Sequence, residues 1–86
     1  MKVSVYDTYV TKEDNTVMHF DILVDEHATE EHVFEFGKLY LAEKGLINPS
    51  LTTKECKFCH MELAPTYIQN IINEDGYFII EMENCN

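Results

Sequence analysis

Four stretches of the chain alternate apolar and polar residues in the way that is typical of β-strands. The second stretch alternates most regularly, and we expect one set of its positions to face the core, namely Met18, Phe20, Ile22 and Val24. The pattern therefore predicts four strands, at Lys2–Val10, at Val17–Val24, within the stretch Lys54–Leu63 and at Tyr77–Glu83.

Two further stretches show the spacing of three to four residues that is typical of amphipathic helices. Thr29 is a predicted N-cap for the first helix, and Gly45 is its predicted end. The second helix is expected to begin at Pro65 and to end at Gly76. The positions expected to be buried are Val33, Phe36, Gly37, Tyr40 and Leu41 in the first helix, and Tyr67, Ile68, Ile71 and Ile72 in the second.

The order of these elements is ββαβαβ, which predicts one α+β domain over residues 1–86. Strands one and two are close enough in sequence to form an antiparallel hairpin. Each helical connection is long enough for a right-handed crossover, so we expect strands two to three and three to four to be parallel. This reasoning predicts a mixed four-stranded sheet, with an irregular loop at Leu46–Thr53.

Both helices are expected on one face of the sheet, as in a two-layer fold. The other face would then carry exposed apolar residues, namely Val5, Tyr9, Val17, Leu23 and Ile79. Soluble monomers seldom expose large apolar patches, so a self-association surface is expected on this face.

The sequence Cys56-x-x-Cys59-His60 is the local pattern with the clearest chemistry. If the segment is an extended strand, Cys56, Phe58 and His60 share one face and Cys59, Met61 and Leu63 share the other, so the two thiols point apart. A tight turn at Lys57 and Phe58 would bring the thiols together. A helix capped by Thr52 and Glu55 would align Cys56, Cys59 and His60 on one side. We favour the strand, in which the cysteines act as small apolar residues.

Three chemical interpretations of this motif stay open. Cys56, Cys59 and His60 could bind zinc if further ligands, such as Cys85, came from elsewhere in the chain. Cys-x-x-Cys-His is also the attachment sequence for c-type haem, which requires export, and no signal peptide is seen. A thioredoxin-like redox pair would need the start of a helix after a strand.

A second group of polar residues lies on the first two strands. His19 and Asp21 are two residues apart and so share one face, and Asp7 lies on the neighbouring strand. Such a group could bind a metal ion or transfer a proton. We favour the alternative, in which the same residues form ordinary cross-strand polar pairs on a solvated face.

Charge and cysteine content narrow the function classes. The chain has 16 acidic and 6 basic residues and a formal net charge of −10, which argues against binding nucleic acid or anionic membranes. Its 3 cysteines cannot all pair within one chain. Without an apparent signal peptide or a long apolar run, a cytoplasmic location is expected.

Four segments carry a resemblance to a known family, and these are Tyr6–Val10, Met18–Asp21, Glu55–His60 and Gly76–Glu83. The whole chain resembles the DUF2024 family of small bacterial proteins of unknown function. The resemblance implies a compact α+β domain of similar length, and it implies no activity, substrate, cofactor or functional residue.

Two functional hypotheses follow. The first is an interaction or structural module, a homodimer or a binder of another protein through the exposed sheet face or a free strand edge. The second is a metal-binding or thiol-based protein that uses Cys56, Cys59 and His60, with zinc as the expected metal. A conventional enzyme is not favoured, because no nucleophile and base arrangement, glycine-rich phosphate loop or carboxylate pair stands out.

Overall fold

The computed structural model describes residues 1–46 and 51–86 of the chain. In these residues the strands are β1 (Lys2–Thr11), β2 (Val17–Asp25), β3 (Cys56–Leu63) and β4 (Tyr77–Glu83), and the helices are α1 (Glu30–Glu43) and α2 (Thr66–Asp75). The four strands form one sheet in the order β3-β1-β2-β4. The predicted α+β class, four-stranded sheet and ββαβαβ order are therefore confirmed.

The prediction of a mixed sheet is wrong, because every pair of neighbouring strands is antiparallel. β3 does not lie beside β2 but on the far side of β1, so the first helical connection passes over β1. The second connection crosses from one edge of the sheet to the other. The loop predicted at Leu46–Thr53 lies partly outside the described residues, and its end at Thr52–Glu55 forms a single turn before β3.

The prediction that both helices cover one face is also wrong. α1 packs on what we call the first face, against Tyr6, Phe20 and Ile22. α2 packs on the opposite, second face, against Val5 and Leu23. The sheet is therefore sandwiched between the two helices. Of the five apolar residues that were expected on an exposed face, Val5 and Leu23 are covered by α2, and Tyr9 and Val17 are exposed. The expectation for Ile79 is wrong, because it is opposite Ile22 and packs on the first-face core.

Local signals set the ends of the elements. The Thr29 side chain accepts a hydrogen bond from the His32 amide and caps α1, whose first turn carries Glu30 and Glu31 at the positive end of the helix dipole. α2 follows Pro65 and ends at Gly76, which has a φ of 93° that favours glycine. The predicted cap Thr29 and the predicted end Gly76 are confirmed, whereas α2 begins one residue after Pro65 and α1 ends at Glu43 instead of Gly45.

The first-face core is the larger of the two cores. Phe20, Ile22 and Val24 are fully buried there. α1 approaches the sheet closely at Gly37, where an added Cβ would lie 2.6 Å from a Leu51 methyl carbon and 3.1 Å from an Ile22 methyl carbon. The second-face core is smaller and consists of Val3, Val5, Leu23, Ala64, Ile68 and Ile72. Tyr67, expected to be buried, is 62% exposed.

β3 contains an irregularity that changes which residues share a face. Its register against β1 shifts between Val5 and Tyr6, because Phe58 pairs with Tyr6 and His60 pairs with Val5, which leaves Cys59 as an extra residue. This is a β-bulge. Because directly opposed residues share a face, Cys56, Phe58, Met61 and Leu63 lie on the first face, and Lys57, His60 and Glu62 lie on the second. The predicted strict alternation is therefore wrong from His60 onward, because His60 was expected on the face of Phe58 and Met61 and Leu63 on the other.

Among the described helices, none is both long and apolar enough to cross a membrane.

Candidate metal centre

The candidate site lies on the second face, at the point where the cover provided by α2 ends. Val5 and Leu23 are opposite each other on β1 and β2 and lie under α2. One step further along the same face, the opposed pair is Asp7 and Asp21. His19 follows two residues away on β2, so the pleat of the two central strands brings the three polar side chains together.

The three side chains converge on a small volume. The ligand atoms of Asp7, His19 and Asp21 all lie within 4.8 Å of one another. The Nε2 atom of His19 is 3.8 Å from the Oδ1 atom of Asp7 and 3.9 Å from the Oδ1 atom of Asp21. The convergence that was considered from the sequence is therefore present in the structure.

Burial differs across the cluster. The side chain of Asp21 is 9% exposed, that of His19 is 18% exposed and that of Asp7 is 37% exposed. The cluster thus has a buried end at Asp21 and an end at Asp7 that is open to water.

The His19 ring is held in place by Tyr9. Tyr9 is opposite His19 in the β1–β2 register, and the two rings stack with their centroids 4.2 Å apart and their planes 10° apart. Stacking restricts the rotation of the imidazole, and in this orientation its Nε2 atom faces the two carboxyl groups.

Burial raises the pKa of Asp21 to about 7, and a hydrogen bond with Asp7 and the negative charges of Asp7 and Glu62 add to the effect. The pKa of Asp7 is lowered, chiefly by the same hydrogen bond, with a further contribution from the Cys59 thiol. Both pKa shifts fit an arrangement in which Asp21 is protonated and donates a hydrogen bond to the ionised carboxylate of Asp7. The two carboxyl groups therefore share one proton near neutral pH.

Residues of β3 border the open end of the cluster. Lys57 is opposite Asp7 in the β1–β3 register. The exposed Cys59 lies close to Asp7, and partial desolvation together with a hydrogen bond to that carboxylate raises the pKa of the thiol. The interaction of its thiol with Asp7 places Cys59 on the second face, opposite Cys56.

Two buried polar atoms of the cluster have no hydrogen-bond partner among the described residues. They are the Nε2 atom of His19 and the Oδ1 atom of Asp21, which face each other. Leaving buried polar atoms unpaired costs about 1 to 3 kcal/mol each. A ligand that interacts with both atoms would remove that cost.

The Cys-x-x-Cys-His motif is divided between the two faces of the sheet. Cys56 is buried on the first face, where the Thr8 hydroxyl donates to its sulfur atom at 3.3 Å. Cys59 and His60 lie on the second face, and the His60 Nε2 atom is 3.6 Å from Glu62. Cys85 is buried near the end of β2, and its thiol donates to the His19 carbonyl. Cys56, Cys59 and His60 therefore do not converge on one point in this structure.

The bulge in β3 is the feature that sequence reasoning missed. The predicted alternation places Cys59 on the face opposite Cys56, where its thiol lies beside Asp7, but it places His60 on the wrong face, because the bulge shifts every later residue of β3 by one position. The signal was present in the apolar spacing, since Phe58, Met61 and Leu63 are separated by three and then two positions instead of by two throughout.

A second polar cluster, on the first face, has a structural role. The Tyr40 hydroxyl donates to Glu81, and the Lys44 ammonium group lies 2.7 Å from the same carboxylate. Burial and the hydrogen bond to Glu81 raise the pKa of Tyr40 far above its usual range. These contacts join the end of α1 to β4, and the charges of Lys44 and Glu81 compensate each other.

Comparison with known proteins identifies the family. A family model described as a domain of unknown function (DUF2024) matches residues 1–82. The chain belongs to the DUF2024 family. Its fold is similar to the NMR structure of protein NE1680 from Nitrosomonas europaea, with 43% sequence identity, a TM-score of 0.84 and all of both chains covered. No curated protein matched the chain of this DUF2024 domain.

Proposed function

We propose that this DUF2024 domain binds a divalent transition-metal ion through Asp7, His19 and Asp21. The supporting observation is the pair of buried, unpartnered atoms on His19 and Asp21, which face each other beside a second carboxylate. Without a ligand the unpaired atoms are costly, and a cation that displaces the shared proton would compensate the charges of both carboxylates.

The donor set favours zinc and its neighbours over magnesium or calcium. Magnesium and calcium prefer oxygen ligands, whereas an imidazole with carboxylates suits zinc, iron, nickel or copper. Tetrahedral ligands at about 2.0 to 2.1 Å from zinc lie roughly 3.3 Å from one another. The distances of 3.8 and 3.9 Å from His19 to the two carboxylates need only a small inward movement to reach that spacing.

Three protein ligands leave one position of a tetrahedral ion open. Asp7, at the exposed end, places that position toward water, and the Cys59 thiol borders it. The cluster thus fits an ion whose open coordination position is accessible to water and to small molecules in solution. This proposal differs from the cysteine site considered from sequence, because Cys56 takes no part.

Three free thiols in one small domain are compatible with a reducing compartment such as the cytoplasm, and we include that location in the proposal.

The decisive experiment is calorimetric titration of the chelator-treated protein with zinc, cobalt and magnesium salts. We expect about one zinc or cobalt ion per chain and much weaker binding of magnesium. His19→Gln and Asp21→Asn should each weaken zinc binding by about a hundredfold or more. The matched controls are His27→Gln and Asp75→Asn, which replace the same residue types outside the cluster.

Two results would contradict the proposal. One is that the unmodified protein binds zinc no more tightly than the His19→Gln variant does. The other is zinc binding that His19→Gln leaves unchanged and Cys59→Ser removes, which would assign the ion to the cysteine motif instead. With the cobalt-loaded protein, loss of a sulfur charge-transfer band in Cys59→Ser would show that the thiol is an added ligand.

A further inference from the structure

The open edge of β3 is the most exposed apolar part of the described chain. β3 is an edge strand, and every residue from Lys57 to Leu63 is exposed. Phe58 is 52% exposed, Met61 44% and Leu63 74%. Most edge strands carry polar residues at such positions, so this edge calls for an explanation.

The backbone of β3 has unpaired hydrogen-bonding groups along this edge. At one end of the ladder the Tyr9 amide donates to the Glu55 carbonyl, and at the other the Ala64 amide donates to the Met1 carbonyl. Bonded and non-bonded pairs alternate along an antiparallel ladder. The groups that point away from β1 are therefore those of Cys56, Phe58, Met61 and Leu63.

The bulge makes this edge complementary to a second copy of itself. In an antiparallel pair, opposed residues must share a face. Two copies of a regular strand can therefore pair an even-numbered residue only with an even-numbered one, and an odd-numbered residue only with an odd-numbered one. The extra residue Cys59 changes this rule halfway along β3, because the first face holds even-numbered residues before Cys59 and odd-numbered residues after it. Pairing two copies about an axis between Cys59 and His60 then places Phe58 opposite Met61 of the partner copy on the first face. Both residues also direct free backbone groups toward the partner.

The charges agree with the same register. On the second face, Lys57 of one copy is opposite Glu62 of the other, and the reciprocal pair repeats the contact. Each chain carries a net charge of −10, which disfavours contact between copies in an arbitrary orientation. In this register Lys57 of each copy lies opposite Glu62 of the other, so both contacts pair opposite charges.

We propose that the protein forms a symmetric homodimer by antiparallel pairing of the β3 edges, with Phe58 facing Met61 and Lys57 facing Glu62 across the interface. The result is a continuous eight-stranded sheet with the apolar contacts on one face and the ion pairs on the other. Lysines and bulges usually protect strand edges from pairing. Here both features favour one register, because Lys57 lies opposite Glu62 of the other copy and the bulge places the apolar residues of both copies on the same face.

A charge-reversal experiment tests the register. The variants Lys57→Glu and Glu62→Lys each place like charges opposite each other at both contacts, and we expect each alone to weaken dimerisation by about tenfold or more. An equal mixture of the two variants restores opposite charges at every contact. Sedimentation at physiological salt should therefore detect dimers of the unmodified protein and of the mixture, and monomers of each single variant.

The control pair is Lys38→Glu and Glu35→Lys, which reverses an exposed ion pair on α1 without touching β3. These variants should dimerise like the unmodified protein. A protein that stays monomeric at all concentrations overturns the proposal. A dimer that Lys57→Glu leaves unchanged, or single variants that the mixture does not rescue, overturns it as well.

Disulfide formation provides a second, independent test. In the Cys59→Ser background, Lys57→Cys with Glu62→Cys places two thiols opposite each other between copies, at a separation that a disulfide can span. Within one chain they are five residues apart on an extended strand and cannot join. Oxidation should give a covalent dimer, and a monomeric product would contradict the register. Neither test depends on metal binding, so the two proposals can fail separately.

Discussion

The two halves of the second face differ sharply although the same two strands form them. Val5 and Leu23 are an opposed pair under α2, and Leu23 is 2% exposed. The next pair on that face is Asp7 and Asp21, beyond the helix. Asp21 is also almost completely buried, with 6% of the whole residue exposed. The difference between the pairs is thus not burial alone but what the buried groups contact.

Leu23 is surrounded by carbon atoms, whereas Asp21 lies beside an imidazole and a second carboxyl group. The first arrangement contributes to stability through apolar burial. The second is costly, because it buries an acidic pair that must share one proton and it leaves polar atoms unpaired. A small domain retains such a cluster at the expense of stability, which is typical of a functional site.

The largest expected effect comes from the covered half. Leu23→Ala should lower the free energy of unfolding by about 2 to 5 kcal/mol, because it leaves a cavity under α2. Val17→Ala, on the same strand and face but 43% exposed, should cost less than about 1 kcal/mol. Urea denaturation measures both, and similar losses would show that α2 does not divide the face as described.

The polar half should show its own dependence on pH. Because the folded protein holds the Asp21 proton up to about pH 7 while the unfolded chain releases it near pH 4, stability should fall as the pH rises between these values and level off above them. One pKa unit corresponds to about 1.4 kcal/mol. We expect a loss of about 1 to 3 kcal/mol, less than the full shift would give, because water at the open end of the cluster screens the charges.

Asp21→Asn should remove most of this slope, because the amide keeps a donor for Asp7 and has no proton to lose. Denaturation at about pH 5 and about pH 8 measures the slope, and the Glu35→Gln variant, changed on exposed α1 surface, is the control. An unchanged slope in Asp21→Asn would place the titrating group elsewhere.

Metal binding should compete with the same proton. Below about pH 7 an ion must displace the proton from Asp21, so zinc affinity should fall by about tenfold per pH unit. Titrations in buffers of different ionisation enthalpy should detect about one proton released at pH 6 and fewer at pH 8. Binding without proton release at the lower pH would exclude Asp21 as a ligand.

The smallest expected effect concerns the aromatic wall of the site. Tyr9→Leu should weaken zinc binding by about threefold, because the stacked ring that orients His19 is lost. Tyr9 is 50% exposed, so stability should change by less than about 1 kcal/mol. Tyr67→Leu, which replaces an exposed tyrosine on α2, is the control and should leave zinc affinity unchanged.

The local structure could be read from the sequence because its determinants are local. Thr29 and Gly76 act within a turn of the helix ends that they set, and the alternation along β2 identified its buried face correctly. The site could be anticipated for the same reason. His19 and Asp21 are two residues apart on one strand, and the short hairpin brings Asp7 beside them.

The global arrangement could not be read in this way. The length of a helical connection permits a crossover but does not decide which strand its end will pair with, so the position of β3 beside β1 was missed. The side on which α2 packs depends on the apolar patch that Val3, Val5 and Leu23 form together. That patch exists only once β1 and β2 are in register.

The bulge at Cys59 also has a consequence for the length of the chain. Because β3 has one residue more than β1 over their shared span, deletion of position 59 would leave both flanking halves of β3 paired as they are. The same deletion at Ser4 on β1 would invert every side chain beyond it. Homologues that lack a residue here can thus keep the whole sheet, and they would lose only the thiol beside Asp7 and the symmetry of the outer edge.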